Sequence, residues 1–217
     1  MNIVNIEQFN KQKIKLSFDD ESFIVIYKNM LYISEEALPA ELPDNEYEEL
    51  FKGMLTYAKR RAMGLLSKKD YTREALTLKL IEDGYNPGII ESTMAYLDGF
   101  HYLDDERVAA NIVRSHRESK SRAVIRQKLL AAKVPEELIE SAIDNNYHEP
   151  SKDVFAPDEE DPEWESAVIV KHLVKMHVTG ELLDEMSYED KQKLMAKLYR
   201  KGFDPGKVRK ALDELTE

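Results

Sequence analysis

Basic residues are concentrated in one stretch of this 217-residue chain, residues 114 to 128, which reads RSHRESKSRAVIRQK. The stretch sets six cations against the single carboxylate of Glu118: Arg114, Arg117, Lys120, Arg122, Arg126 and Lys128. The forked donors of arginine bind phosphate and carboxylate groups well, so this stretch is a candidate binding surface for phosphates or for the acidic groups of a protein partner. A charged stretch can equally form a solvated face whose charges pair with one another. Both interpretations stay open at the level of sequence.

The arginines fall on one side of a predicted helix that begins near Asp104. Because a helix turns by about 100° per residue, one polar group lies within about 40° on its surface: Arg107, Asn111, Arg114 and Glu118. An apolar group lies on the opposite side: Val108, Ala109, Ile112, Val113 and His116. We therefore expect the arginines of this helix to face outward.

The next predicted helix can extend the same surface. Arg122 and Arg126 are four residues apart, which makes them neighbours on a helix, and they flank the apolar positions Ile125 and Leu129. A second basic run, KRR, lies earlier in the chain and is predicted as a further extension. We call the whole predicted set the basic face: Arg107, Arg114, Arg117, Arg122, Arg126, Lys128, Lys59, Arg60 and Arg61.

Residues that resemble catalytic or metal-binding groups have simpler explanations. Asp104 and Asp105 stand where a helix begins, and a helix N-terminus favours carboxylates. His172 and His177 are five residues apart, which does not suit a shared ligand face on a helix. The chain contains no cysteine, no glycine-rich phosphate loop and no nucleophile elbow. We therefore expect a protein that is not an enzyme and that has no metal or cofactor.

Composition and charge favour a soluble cytoplasmic protein. Hydrophobic residues make up 42% of the chain, and no run of about 18 apolar residues suggests a membrane span. The net charge of −11 argues against indiscriminate binding to nucleic acid. Residues 54 to 150 are neutral overall, whereas the segments before and after carry −6 and −5.

The first 43 residues predict an antiparallel β meander, and the rest predicts helices. KIKLSF alternates apolar and polar residues, and FIVIY and MLYI follow it as candidate strands. Pro43 and Asp44 then begin a helical pattern of about 23 residues that reaches Leu66.

One turn sequence occurs twice, in LIEDGYNPGII at residues 80 to 90 and in LYRKGFDPGKV at residues 198 to 208. Glycine suits the left-handed backbone that ends a helix, an Asn or Asp caps the next helix, and proline occupies its first turn. The structural turn residues are thus Gly84, Asn86, Pro87, Gly202, Asp204 and Pro205.

A third copy, IRQKLLAAKVPEELIESAI, has Lys133 in place of the glycine and its proline, Pro135, one position early, which predicts a turn of different shape. The copies indicate three tandem trihelical repeats that form an elongated curved module. The predicted segments are a β-rich extension (1–43), repeat 1 (44–98), repeat 2 (104–146), an acidic proline-containing linker (147–162) and repeat 3 (163–217). A chance recurrence of ordinary helix punctuation is the alternative.

Three segments together resemble the RecX regulators of the bacterial recombinase RecA: SKKDYTREALTLKLIEDGYNPGIIESTMAYL, YLDDERVAANIV and IRQKLLAAKVPEELIESAI. The resemblance runs from about residue 50 to the C-terminus, and it departs from the family pattern at Lys133 and Ala75. It implies an all-helical module that lies in the groove of the RecA nucleoprotein filament. It also implies modulation, most often inhibition, of ATP hydrolysis, recombinase activity and strand exchange in DNA repair and the SOS response.

Two classes of function follow for the chain. The first is a monomeric regulatory protein whose partner is the RecA filament, with single- or double-stranded DNA as a further partner. The second is a general nucleic-acid-binding helical module. An autonomous DNA binder should lose affinity steeply between about 50 and 200 mM salt, whereas a protein-directed regulator should keep its effect.

Overall fold

The computed structural model describes residues 1–31, 37–147 and 164–216. The chain forms two compact units, Met1–Asp104 and Asp105–Glu217. Within the described ranges a small antiparallel sheet precedes a series of helices. The prediction of a mainly α fold with tandem trihelical repeats and an N-terminal β meander is confirmed.

The sheet has four strands: β1 (Asn2–Gln8), β2 (Lys13–Phe18), β3 (Phe23–Tyr27) and β4 (Ala40–Glu41). Their spatial order is β3-β2-β1-β4, and every neighbouring pair is antiparallel. The predicted strands KIKLSF and FIVIY are present as β2 and β3. The expectation of a third strand at MLYI was wrong for Met30 and Leu31, and its other two residues lie outside the described ranges. The N-terminal segment NIVNIEQ instead forms β1, because both its edges find partners in β2 and β4.

Three helices complete the first unit and form the first repeat: α1 (Asp44–Leu66), α2 (Arg73–Glu82) and α3 (Pro87–Gly99). The first of them has the bounds predicted from sequence. Leu50, Met54 and Ala58 form a buried stripe along α1 at helical spacing. They share one apolar core with the sheet and the other two helices.

The second unit contains the second and third repeats. The second repeat consists of α4 (Asp105–His116), α5 (Arg122–Ala131) and α6 (Glu136–Asn146), and the third of α7 (Trp164–Lys175), α8 (Gly180–Glu185), α9 (Tyr188–Tyr199) and α10 (Pro205–Asp213). The short helix α8 is an addition to the three-helix pattern. Most of the predicted linker lies outside the described residues, but Tyr147 is buried at the end of α6, where its hydroxyl donates to the Lys120 carbonyl at 3.1 Å.

The repeated turns have left-handed backbones, with φ of +89° at Gly84 and +85° at Gly202. Lys133 has φ of +60°, and its turn forms the same pair of backbone hydrogen bonds as the glycine turns. The expectation of a differently shaped turn at Lys133 was therefore wrong. The turns differ in the N-cap of the helix that follows. The side chains of Asn86 and Asp204 accept hydrogen bonds from backbone N–H groups of α3 and α10, whereas α6 begins after Pro135 without a side-chain cap.

The third repeat packs against the second through the segment that precedes α5. The Ser121 hydroxyl donates to the Lys201 carbonyl at 3.3 Å, and His172 Nε2 lies 2.9 Å from the Ser119 carbonyl. The His172 ring also meets the edge of the Phe203 ring, with centroids 5.4 Å apart. These contacts bring the turn at Gly202 against the N-terminus of α5.

Candidate functional site

Helix α4 presents the arginines that the sequence places on its outer side. Arg107 and Arg114 are exposed, whereas Val108, Ala109 and Val113 are buried in the core of the second repeat. The helix begins at Asp105 and carries acidic residues in its first turn, where they interact favourably with the helix dipole.

Neutral acceptors hold the guanidinium group of Arg114. Its two terminal nitrogens donate to the side-chain oxygens of Asn111 at 2.8 Å and Asn146 at 3.0 Å. Arg117 donates to the backbone carbonyl of the same Asn146 at 3.4 Å. Amide oxygens orient a guanidinium group without cancelling its charge, so Arg114 offers a fixed positive charge on the surface.

Carboxylates of α6, in contrast, hold the arginines of α5. Arg122 forms an ion pair with Asp144 and lies over the Tyr147 ring, 5.8 Å from its centroid. Arg126 pairs with Glu140 at 2.9 Å and Glu136 at 3.3 Å. The hydrogen bond that Arg126 donates to Glu140 raises the pKa of Arg126 and is the largest of the effects on this group.

The pairing on α5 limits the predicted basic face. Three carboxylates of α6 offset the charges of Arg122 and Arg126, which therefore connect two helices of one repeat. This is the self-paired arrangement that the sequence left open as an alternative. Lys128, also on α5, is half-buried and makes no side-chain hydrogen bond or ion pair within residues 1–31, 37–147 and 164–216.

The KRR run of α1 belongs to the first unit, and its three side chains have different surroundings. Lys59 Nζ lies 4.4 Å from the centroid of the Tyr96 ring. Arg61 donates from Nε to Asp83 at 2.7 Å, and this hydrogen bond raises the pKa of Arg61. Arg60 is exposed and has no ion pair or hydrogen bond from its side chain to other described residues. A single basic face that includes this run and α4 stays a prediction.

Lys13 is a functional candidate that sequence reasoning missed. The alternation in KIKLSF predicts an outward-facing lysine, yet Lys13 is only 7% exposed. Its ammonium group donates to the Asp83 carbonyl at 2.8 Å and lies 4.6 Å from the centroid of the Tyr85 ring. Burial lowers the pKa of Lys13, and the same cause raises the pKa of Tyr85 to about 12. A helix C-terminus attracts a cation, which explains why the Lys13 ammonium group lies at the end of α2. The sequence around Lys13 contains no local signal that predicts this position.

Lys13 forms part of a cleft in the first unit, which we call the sheet cleft. It has a volume of about 640 Å³ and lies between the sheet, the second half of α1 and the turn after α2. Cations and aromatic rings dominate its lining: Lys13, Arg60, Arg61, Lys68, Phe9, Tyr27, Tyr57 and Tyr85.

The described residues contain neither a metal-binding cluster nor a membrane-spanning helix. In the described ranges no three His, Asp or Glu side chains lie close enough together to hold a metal ion. None of the helices described here has the length and apolar character needed to cross a bilayer.

Comparison with known proteins assigns the helical repeats. Family models for the first and second three-helix domains of RecX match residues 58–97 and 104–143. The chain is 25% identical to the regulatory protein RecX of Clostridioides difficile (strain 630) over 224 residues, a match that covers 98% of this chain and 95% of that protein. It is 28% identical to the regulatory protein RecX of Prosthecochloris aestuarii over 162 residues, with 73% of this chain and 93% of that protein covered.

Structural comparison agrees with these matches. A crystal structure of regulatory protein RecX superposes with a TM-score of 0.59 at 20% sequence identity, and the superposition covers 98% of both chains. At this level of identity the superposition shows a shared fold. The two matching models and a relative that matches nearly end to end carry the assignment further: the chain contains the first and second three-helix domains of the RecX family of regulatory proteins.

Proposed function

We propose that this chain binds the filament of the RecA recombinase and lowers its ATPase, recombinase and strand-exchange activities in DNA repair and the SOS response. Similarity to RecX proteins supports a regulatory role, because the relatives that match over most of their length are regulatory proteins. The observation that carries the proposal is the presence of both RecX three-helix domains in one chain. The proposed activity is a binding activity, so it requires no catalytic group, metal or cofactor.

The outer face of α4 is the contact surface that the geometry favours. Arg107 and Arg114 are exposed on it, and Asn111 and Asn146 hold Arg114 in one orientation. A guanidinium group that is already oriented loses less side-chain freedom when it binds a phosphate or a carboxylate. The arginines of α5 contribute less, because α6 carboxylates would have to be displaced first.

The test is the DNA-dependent ATPase rate of RecA from the same organism, titrated with this protein. We expect the wild-type chain to lower the rate and to co-sediment with filaments. Arg114→Glu should raise the concentration needed for half-maximal inhibition roughly tenfold or more, because one charged hydrogen bond contributes about 1.5–3 kcal/mol.

The matched control is Arg209→Glu. Arg209 is also an exposed arginine on a helix, with no ion pair or hydrogen bond from its side chain to other described residues, and its reversal changes the net charge equally. It should inhibit like wild type. An unchanged ATPase rate without co-sedimentation would contradict the proposal. If the chain then bound oligonucleotides with steep salt dependence, the general nucleic-acid-binding module would replace it.

A further inference from the structure

One wall of the sheet cleft lies outside the residues that the RecX domain models match, and the other lies largely within the first of them. Phe9 follows β1, Lys13 begins β2 and Tyr27 ends β3, and all three precede the matched residues, 58–97. The other wall comes from the second half of α1 and the turn that follows it, between Tyr57 and Lys68. A volume of about 640 Å³ is in the range of sites that hold small ligands.

The cleft carries a positive charge within an acidic part of the chain. Four cations line it against two carboxylates, Glu82 and Asp83. Both carboxylates have partners: Asp83 binds Arg61 at 2.7 Å, and Glu82 binds Lys79 at 2.5 Å.

Two of the four cations remain available to a ligand. Arg60 and Lys68 are exposed, and in the described part of the chain their side chains form no ion pair or hydrogen bond. The cleft therefore offers two positive charges that no neighbouring carboxylate offsets, although residues 1 to 53 carry a net charge of −6.

Aromatic rings lie beside these cations and are partly open to solvent. Phe9 and Tyr57 are each 40% exposed, so part of each ring is accessible to a ligand in the cleft. Tyr57 packs against Tyr27 with ring centroids 4.7 Å apart, and the Phe9 ring lies directly over Gly84. These contacts support one side of each ring.

Flat aromatic faces next to unpaired cations are the combination that binds unpaired nucleotides. Bases stack on the rings and phosphates bind the cations, without preference for sequence. A double helix hides the faces of its bases, so it cannot use the rings. The carboxylates of an acidic peptide could bind the cations, but they do not stack on the rings, whereas each nucleotide carries both a phosphate and a base. We infer that the sheet cleft binds a segment of single-stranded nucleic acid, with bases on Tyr57 and Phe9 and phosphates on Arg60 and Lys68.

This site is separate in chemistry from the α4 face and does not depend on the regulation of RecA. The test therefore uses the full-length chain alone, with a fluorescent oligothymidylate of about 15 nucleotides, followed by anisotropy at about 50 mM salt. The variants are the double reversal Arg60→Glu with Lys68→Glu, and Tyr57→Leu, which keeps an apolar side chain against Tyr27. A double reversal of exposed cations in the third repeat, Lys197→Glu with Arg209→Glu, changes the net charge equally and serves as the control.

We expect the cleft reversal to weaken binding about tenfold or more and to reduce the salt slope by about 1.4, since each phosphate contact contributes about 0.7. Tyr57→Leu should weaken binding about fivefold or more, because stacking on one ring is lost. The control reversal should stay within about twofold of wild type. Circular dichroism melting curves of all variants establish that each is folded.

Three results would overturn the inference. The first is the absence of oligonucleotide binding by the wild-type chain at low salt. The second is an equal loss in the cleft and control reversals, which would indicate only bulk electrostatic attraction. The third is tighter binding of a labelled glutamate-rich, tyrosine-containing peptide that the same cleft variants abolish, which would assign the cleft to an acidic protein segment. None of these results bears on the RecA ATPase assay, so the two proposals fail separately.

Discussion

The turn at Lys133 and the turn at Gly202 have the same backbone but different surroundings. Both contain a left-handed residue, with φ of +60° and +85°, and both form the same pair of backbone hydrogen bonds. The Lys133 side chain is exposed to solvent. At Gly202 a Cβ atom would lie 2.7 Å from the hydroxyl oxygen of Ser121 and 3.0 Å from a methyl group of Val124, which leaves no room for a side chain.

The same contrast holds at the other helix ends of this kind. His101 and His177 have φ of +53° and +58° and are exposed, whereas a Cβ at Gly84 would lie 2.6 Å from the Phe9 ring. A left-handed turn therefore tolerates a side chain in this chain when the turn faces solvent. The two repeated glycines mark the turns against which another part of the chain packs.

The largest expected effect comes from filling the covered turn of the third repeat. Gly202→Val should lower the free energy of unfolding by about 2 to 4 kcal/mol, because the left-handed backbone and the contact with Ser121 both resist a branched side chain. Lys133→Val should cost about 1 kcal/mol or less, since a side chain already occupies that conformation. Urea denaturation measures both. Equal losses of stability in the two variants would show that the packing around the turn does not determine the cost of the substitution.

A smaller effect is expected at the turn that Phe9 covers. Gly84→Ala should lower the free energy of unfolding by about 1 to 2 kcal/mol, which is the cost of the left-handed conformation alone. Phe9 is 40% exposed and its ring can rotate away, whereas Ser121 at the other covered turn is fully buried. Gly202→Ala, measured under the same conditions, should therefore cost more. The reverse order would mean that the ring of Phe9 is held more firmly than its exposure indicates.

The smallest effect concerns the pH dependence of the contact around the Gly202 turn. Burial lowers the pKa of His172, and the Ser119 carbonyl and the charges of Lys201, Lys175 and Lys120 also act on it. Because the folded-state pKa lies below the unfolded value of about 6.5, the unfolded chain binds more protons as the pH falls through this region. The contribution of neutral His172 to stability is thus complete above about pH 6.5 and declines below it.

Comparison of unfolding midpoints at about pH 7 and pH 5 tests this sign. His172→Gln removes the titration and should lose less stability on acidification than the wild-type chain. His177→Asn is the matched control, because His177 is exposed and asparagine tolerates its left-handed backbone. If the His172→Gln variant loses as much stability as the wild-type chain on acidification, other groups cause the decline.

The local features of the helices could be predicted from the sequence. The bounds of α1, Asp44–Leu66, and the left-handed glycines follow from helix periodicity and turn chemistry, which depend on residues within a few positions of one another. The outward direction of Arg107 and Arg114 follows from the same periodicity. The strand pairing of the N-terminal segment could not be predicted in this way, because β4, one of the two strands that pair with β1, comes from a distant part of the chain.

The sequence alone therefore predicted the bounds of α1, the two glycine turns and the outer side of α4, because these depend on local backbone preferences. The tertiary structure determines which cations have their charge offset by a neighbouring carboxylate. Arg122 and Arg126 meet carboxylates of α6, whereas Arg114 meets only amides among the described residues. It also brought Lys13 under Tyr85, and Phe9 and Tyr57 to the sheet cleft. The physical reason is that the electrostatic environment of a side chain depends on neighbours in space, and here those neighbours come from other helices and strands.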